Sequence, residues 1–82
     1  MTKRFGECVR NLREEAGMSQ TAFGEKCGFY QTYLSRIENG RANPTLNAME
    51  VIANGLGLTI YELFDRMKPA PAKGSGRAAS RG

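Results

Sequence analysis

The sequence predicts an all-α fold of five short helices. Three observations carry that reading. Apolar residues recur three and four positions apart through successive segments, the spacing of one helix face. Helix starts and stops punctuate the chain: Ser19, Thr45 and Thr59 stand where N-caps are needed, and Gly17, Gly28 and Gly57 follow the periodic runs. The stretch Ser19 to Gly40 reads as a helix, a glycine turn and a second helix in 22 residues.

In the first segment, Thr2 to Ala16, the residues Phe5, Val9, Leu12 and Ala16 share a face, and Arg10, Asn11, Glu14 and Glu15 lie mainly off it. Gly17 ends this helix and Met18 bridges to Ser19. The second helix carries Ala22, Phe23 and Cys27 as its apolar positions. Gly28 then supplies the backbone freedom that a tight turn requires. The third helix begins near Gln31, turning Leu34 and Ile37 inward and Gln31, Thr32, Ser35 and Arg36 outward. Two helices joined steeply by a glycine-containing turn form a helix-turn-helix unit. Arg41 to Thr45 is a loop. The fourth helix starts at Thr45 and aligns Leu46, Met49, Ile52, Ala53 and Leu56, with Gly55 weakening its last turn. Thr59-Ile60-Tyr61-Glu62 fits a capping box opening the fifth helix, whose stripe is Ile60, Leu63, Phe64 and Met67.

Composition narrows the function classes. The net charge is +4, yet residues 1–67 hold eight Lys/Arg and eight Asp/Glu, so the excess comes entirely from Lys68, Lys73, Arg77 and Arg81. Net charge therefore does not assign the folded part to nucleic acid; only a local patch could. There are two Cys and no His, so one chain cannot assemble a usual four-ligand zinc site, and no metal or cofactor is expected. Cys8 and Cys27 sit beside apolar stripes and read as small buried hydrophobes. No apolar run approaches membrane-spanning length and no signal-peptide pattern opens the chain, so a cytoplasmic location is expected. Residues 1–67 are expected to form the domain. Residues 68–82 have no large apolar side chain and read as a disordered basic tail that could add only sequence-blind affinity for DNA.

The order and spacing of several segments resemble the Cro and lambda-repressor type, or Xre, family. Leu12 to Gln20 looks like the end of its first helix and the start of its second. Tyr33 to Gly40 looks like its recognition helix and exit turn, Asn43-Pro44-Thr45-Leu46 like the start of its fourth helix, and Leu56-Gly57-Leu58 followed by Leu63-Phe64 like its close. The resemblance covers about residues 4 to 66 and implies a lambda-repressor-like five-helix domain. It also implies that Gln31, Thr32 and Arg36 read base edges in a major groove, with Ser35 nearby. Gln20 and Thr21, at the amino end of the second helix, suit a phosphate oxygen. Asn39, Arg41 and Asn43 follow the recognition helix and should meet the opposite backbone. Tyr33 has two readings, a ring half in the core or a hydroxyl on a phosphate. Tyr30 departs from the family, which usually places Ser or Thr at that cap. In related repressors an Arg at the place of Arg13 pairs with a Glu at the place of Glu38, which here would tie the reading helix to the scaffold.

Together these features predict a regulator that binds double-stranded DNA as a homodimer on a palindromic operator. Ile60, Tyr61, Phe64 and Met67 are the expected dimer surface. The Thr32-Tyr33-Leu34-Ser35 run together with the compact length resembles restriction–modification controllers, and that length leaves no room for an effector domain, so no small-molecule effector is expected. The competing class is the antitoxin of a toxin–antitoxin pair. An enzyme is disfavoured, since the sequence has neither a metal cluster nor a glycine-rich phosphate loop and its carboxylates are scattered. RNA binding is disfavoured for want of a sheet with exposed aromatics.

Overall fold

The computed structural model describes residues 1–68, and within them five helices follow one another with no strand. They are α1 (Thr2–Glu15), α2 (Gln20–Cys27), α3 (Gln31–Glu38), α4 (Leu46–Gly55) and α5 (Ile60–Arg66). The expected tail, Lys68 apart, lies outside the described residues. None of the described helices is long and apolar enough to cross a membrane.

Local chemistry sets the boundaries. The Ala22 N–H donates to Ser19 Oγ at 3.0 Å, and the Ala48 N–H donates to Thr45 Oγ1 at 3.0 Å. At α5 the capping box is reciprocal: the Glu62 N–H donates to Thr59 Oγ1 at 3.1 Å, and the Thr59 N–H donates to Glu62 Oε1 at 2.8 Å. Between α2 and α3, Gly28 takes φ 78° and ψ 25°. That left-handed turn lets the Phe29 N–H reach the Gly24 carbonyl at 2.8 Å and sends the chain into α3 at once.

The core gathers one or two side chains from each helix: Phe5 and Val9, Phe23, Leu34 and Ile37, Ile52 and Ala53, and Leu63. Each large one stabilises the fold by roughly 1.5–3 kcal/mol relative to exposure. α1 packs chiefly on α3, α2 lies between α3 and α4, and α5 closes on α4. Three expected core positions are instead exposed: Ala16, Ala22 and Leu46. Ala16 is the C-cap of α1, past the last turn that can face α3. In the two turns of α2, Phe23 and Cys27 take the inward direction and leave Ala22 outside. Leu46 is the first residue of α4, nearly two turns ahead of the buried Ile52 and Ala53.

Two glycines act through closeness. A β-carbon on Gly6 would collide with the Ile37 carbonyl oxygen and stand 2.7 Å from that of Glu38, so the backbones of α1 and α3 nearly touch there. A β-carbon on Gly55 would lie 3.0 Å from both Cys27 Sγ and a Phe23 ring carbon. The residue that weakens the last turn of α4 thus also seats α4 against α2.

Candidate nucleic-acid interface

The buried side of α3 consists of Leu34, Ile37 and Glu38, whereas Gln31, Thr32 and Arg36 are exposed and Ser35 is half-buried. In a helix, residues four apart stand one above the other, so Gln31 lines up with Ser35 and Thr32 with Arg36. The four predicted base-reading residues therefore share one outward surface. Its amino end is bare: Tyr30 is the N-cap, makes no side-chain cap bond and is 86% exposed. Tyr33 is half-buried, its ring packed edge-on against Phe29 with centroids 5.1 Å apart.

Beneath this surface lies a buried ion pair. Arg13 and Glu38 are 8% and 1% exposed. Arg13 Nε donates to Glu38 Oε2 at 2.7 Å and Nη2 donates to Oε1 at 3.1 Å, a fork-to-fork pairing, while Nη1 donates to the Met18 carbonyl at 2.7 Å. The hydrogen bond to Glu38 raises the Arg13 pKa above its ordinary value, against the opposing effect of burial. Two charges are thereby removed from water with their hydrogen-bonding capacity largely met.

The ion pair reaches the outer surface through amides. Glu38 Oε1 also accepts from Gln20 Nε2 at 3.0 Å, and Gln20 Oε1 accepts from Gln31 Nε2 at 2.6 Å. Gln20, expected at a phosphate, thus stands between the buried carboxylate and the first residue of α3. Thr21, Arg41 and Asn43 are exposed. The Arg36 guanidinium donates to the Arg41 carbonyl at 3.3 Å, and the Arg41 N–H returns to the Arg36 carbonyl at 2.8 Å. The exit loop is folded back onto the last turn of α3 by these two bonds.

Sequence reasoning missed Arg10. Its Nη2 donates to Asn39 Oδ1 at 2.7 Å, and its Nε lies 3.6 Å from Glu38 Oε1. The available signal was spacing: Arg10 precedes Arg13 by three positions and so shares its face of α1. Among the described residues, no three His, Cys, Asp or Glu side chains are grouped so that they could hold a metal ion.

A family model described as a helix-turn-helix domain matches residues 4–64. The control protein C.MunI of a Mycoplasma species is 44% identical over 62 residues, covering 74% of this chain and 84% of that protein. The HTH-type transcriptional regulator y4dJ of Sinorhizobium fredii is 40% identical over 71 residues, covering 87% and 92%. Among solved structures, the restriction-modification controller protein C.AhdI from Aeromonas hydrophila superposes with a TM-score of 0.74 at 30% identity, covering 77% of this chain and 96% of that one.

Proposed function

Because the chain belongs to the helix-turn-helix family, of the Cro and lambda-repressor type, we propose that it is a sequence-specific transcriptional regulator that sets α3 into the major groove of double-stranded DNA. It acts as a homodimer on a palindromic operator, in the manner of a short controller-type regulator. The observation that carries this reading is the two-sided character of α3. One side is locked to the scaffold by Leu34, Ile37 and Glu38; the other offers Gln31, Thr32 and Arg36 to a ligand. Such a helix presents donors and acceptors without having to order them first, which keeps the entropy cost of binding low.

The roles follow from the chemistry of each group. Arg36 is the only cation in α3 and suits the two acceptors of guanine, O6 and N7. Gln31 already donates one amide hydrogen to Gln20. What remains is one N–H and the carbonyl oxygen, the complement of adenine N7 and N6. Thr32 offers a hydroxyl to a base edge and a methyl to thymine. Thr21, Tyr33, Asn39, Arg41 and Asn43 meet phosphates and set register, and Gln20 does so while holding Gln31.

Selection of bound duplexes from random DNA tests the reading. A palindromic consensus is expected. On that site Arg36→Ala should cost roughly 1–3 kcal/mol and relax preference at one base position, whereas Arg41→Ala should weaken all sequences alike. Selection yielding no consensus, or Arg36→Ala weakening every sequence equally, would overturn it.

A further inference from the structure

We propose that Arg10, on α1, is a phosphate-binding residue that works together with Asn39 and extends the DNA surface beyond the helix-turn-helix unit. The inference rests on the DNA-binding reading above. It begins from a charge imbalance inside the structure. Two guanidinium groups, Arg10 and Arg13, converge on the single buried carboxylate of Glu38. Arg13 takes both oxygens at hydrogen-bond distance, whereas Arg10 stands at 3.6 Å. The carboxylate is neutralised by Arg13, and the charge of Arg10 is left over. Glu14 approaches Arg13, at 3.8 Å, but its side chain is 60% exposed and therefore solvent-screened.

Position turns that surplus outward. The Arg10 side chain is 38% exposed, and its Nη2 reaches across to Asn39 Oδ1 at 2.7 Å. Asn39 caps the carboxyl end of α3, and its Nδ2 lies 3.4 Å from Ser35 Oγ, on the outward side of that helix. The guanidinium is thus placed at the edge of the reading surface. Its Nη1 enters no hydrogen bond among the described residues. Arg10 fixes the amide of Asn39 by occupying its oxygen, and one amide hydrogen donates to Ser35 Oγ, which leaves the second Asn39 amide N–H and Arg10 Nη1 as neighbouring donors. Two donors side by side, one of them cationic, suit the oxygens of one phosphate. A phosphate contact from α1 would also brace α3 from its far end, opposite the contacts at Gln20 and Thr21.

The test is the salt dependence of binding, measured on a random-sequence duplex and on a selected site. Neutralising one phosphate lowers log Kobs by about 0.9 for each tenfold rise in salt. A dimer carries Arg10 twice, so Arg10→Gln should flatten that slope by about 0.9 per bound subunit, about 1.8 in all, and weaken both duplexes roughly sixtyfold at 0.1 M salt. Arg10→Lys, which keeps the charge, should restore most of the slope. Arg66→Gln removes the same charge from α5 and should change the slope much less. Circular dichroism checks that each variant is folded at the assay temperature. Equal slopes for Arg10→Gln and the parent, or equal effects of Arg10→Gln and Arg66→Gln, would overturn the role of Arg10 and leave the DNA reading standing. A parent protein that binds neither duplex overturns both.

Discussion

Removing the Glu38 carboxylate would leave the Arg13 guanidinium 8% exposed and without its counter-charge. Glu38→Ala is therefore expected to cost about 3–5 kcal/mol in urea unfolding, since a stranded buried charge is more costly than the pair is favourable. The double replacement Arg13→Met with Glu38→Leu, which leaves no buried charge without its partner, should cost less; equal losses would mean that the pair itself holds the fold. The two thiols give a second prediction. Burial raises the pKa of both Cys8 and Cys27 above the ordinary 9.0, more than Arg66 or Lys26 lowers it. The folded chain thus retains these protons after the unfolded chain has lost them. Their stabilising effect is complete below pH 9.0 and is lost as pH rises through the folded values. Between about pH 7 and about pH 10 the urea midpoint of the parent should fall further than that of a Cys8→Ala, Cys27→Ala variant; parallel falls would refute this. At this scale the sequence was only partly legible. Gln31, Thr32 and Arg36 could be placed on an outward face by helix spacing alone. The bond from Arg10 to Asn39 could not, because it depends on how α1 crosses α3, and two residues 29 positions apart carry no local mark of that.

Elements were legible where their causes are local. The caps at Ser19, Thr45 and Thr59 sit where a hydroxyl three residues ahead of a free N–H would be wanted. Thr59→Ala removes one hydrogen bond of the reciprocal pair at α5 and should lower stability by about 1 kcal/mol, read as a shift in urea midpoint at constant slope. No change would mean that α5 is held by Leu63 alone. The close approaches were not legible. Gly6 lies inside α1, where glycine lowers helix propensity, and it is the point where α1 meets the carbonyls of Ile37 and Glu38. Gly6→Ala improves helix propensity by up to about 1 kcal/mol but forces the two helices apart, which typically costs 1–3 kcal/mol or more. A destabilised protein is expected, with the loss shared by DNA binding because α3 shifts. A Gly6→Ala variant as stable as the parent would show that the contact is slack. Ala22 and Leu46 were misplaced for a related reason. Short helices bury only a narrow stripe, and periodicity cannot say where its edge falls.

At the scale of the whole molecule, the exposed apolar surface of α5 sets the assembly. A domain of this size buries only about 60% of its unfolded surface, so apolar area left outside weighs heavily. Leu63 faces the core completely, while Ile60, Phe64 and Met67 are half-buried and Tyr61 is 82% exposed. By helical spacing these four residues lie to one side of Leu63, along a helix that packs on α4. A second copy meeting the same stripe through a two-fold axis would bury all four. It would also present two α3 helices to one side of a duplex, about 34 Å apart, the separation of adjacent major-groove faces. Sedimentation at micromolar concentration should therefore show a dimer. Ile60→Asp, which places a carboxylate at the half-buried position next to Tyr61, should yield a folded monomer that binds a single half-site weakly and without cooperativity. A parent that sediments as a monomer and occupies half-sites independently would remove the dimer from the proposal, and α5 would then serve only to close the base of the helix-turn-helix domain.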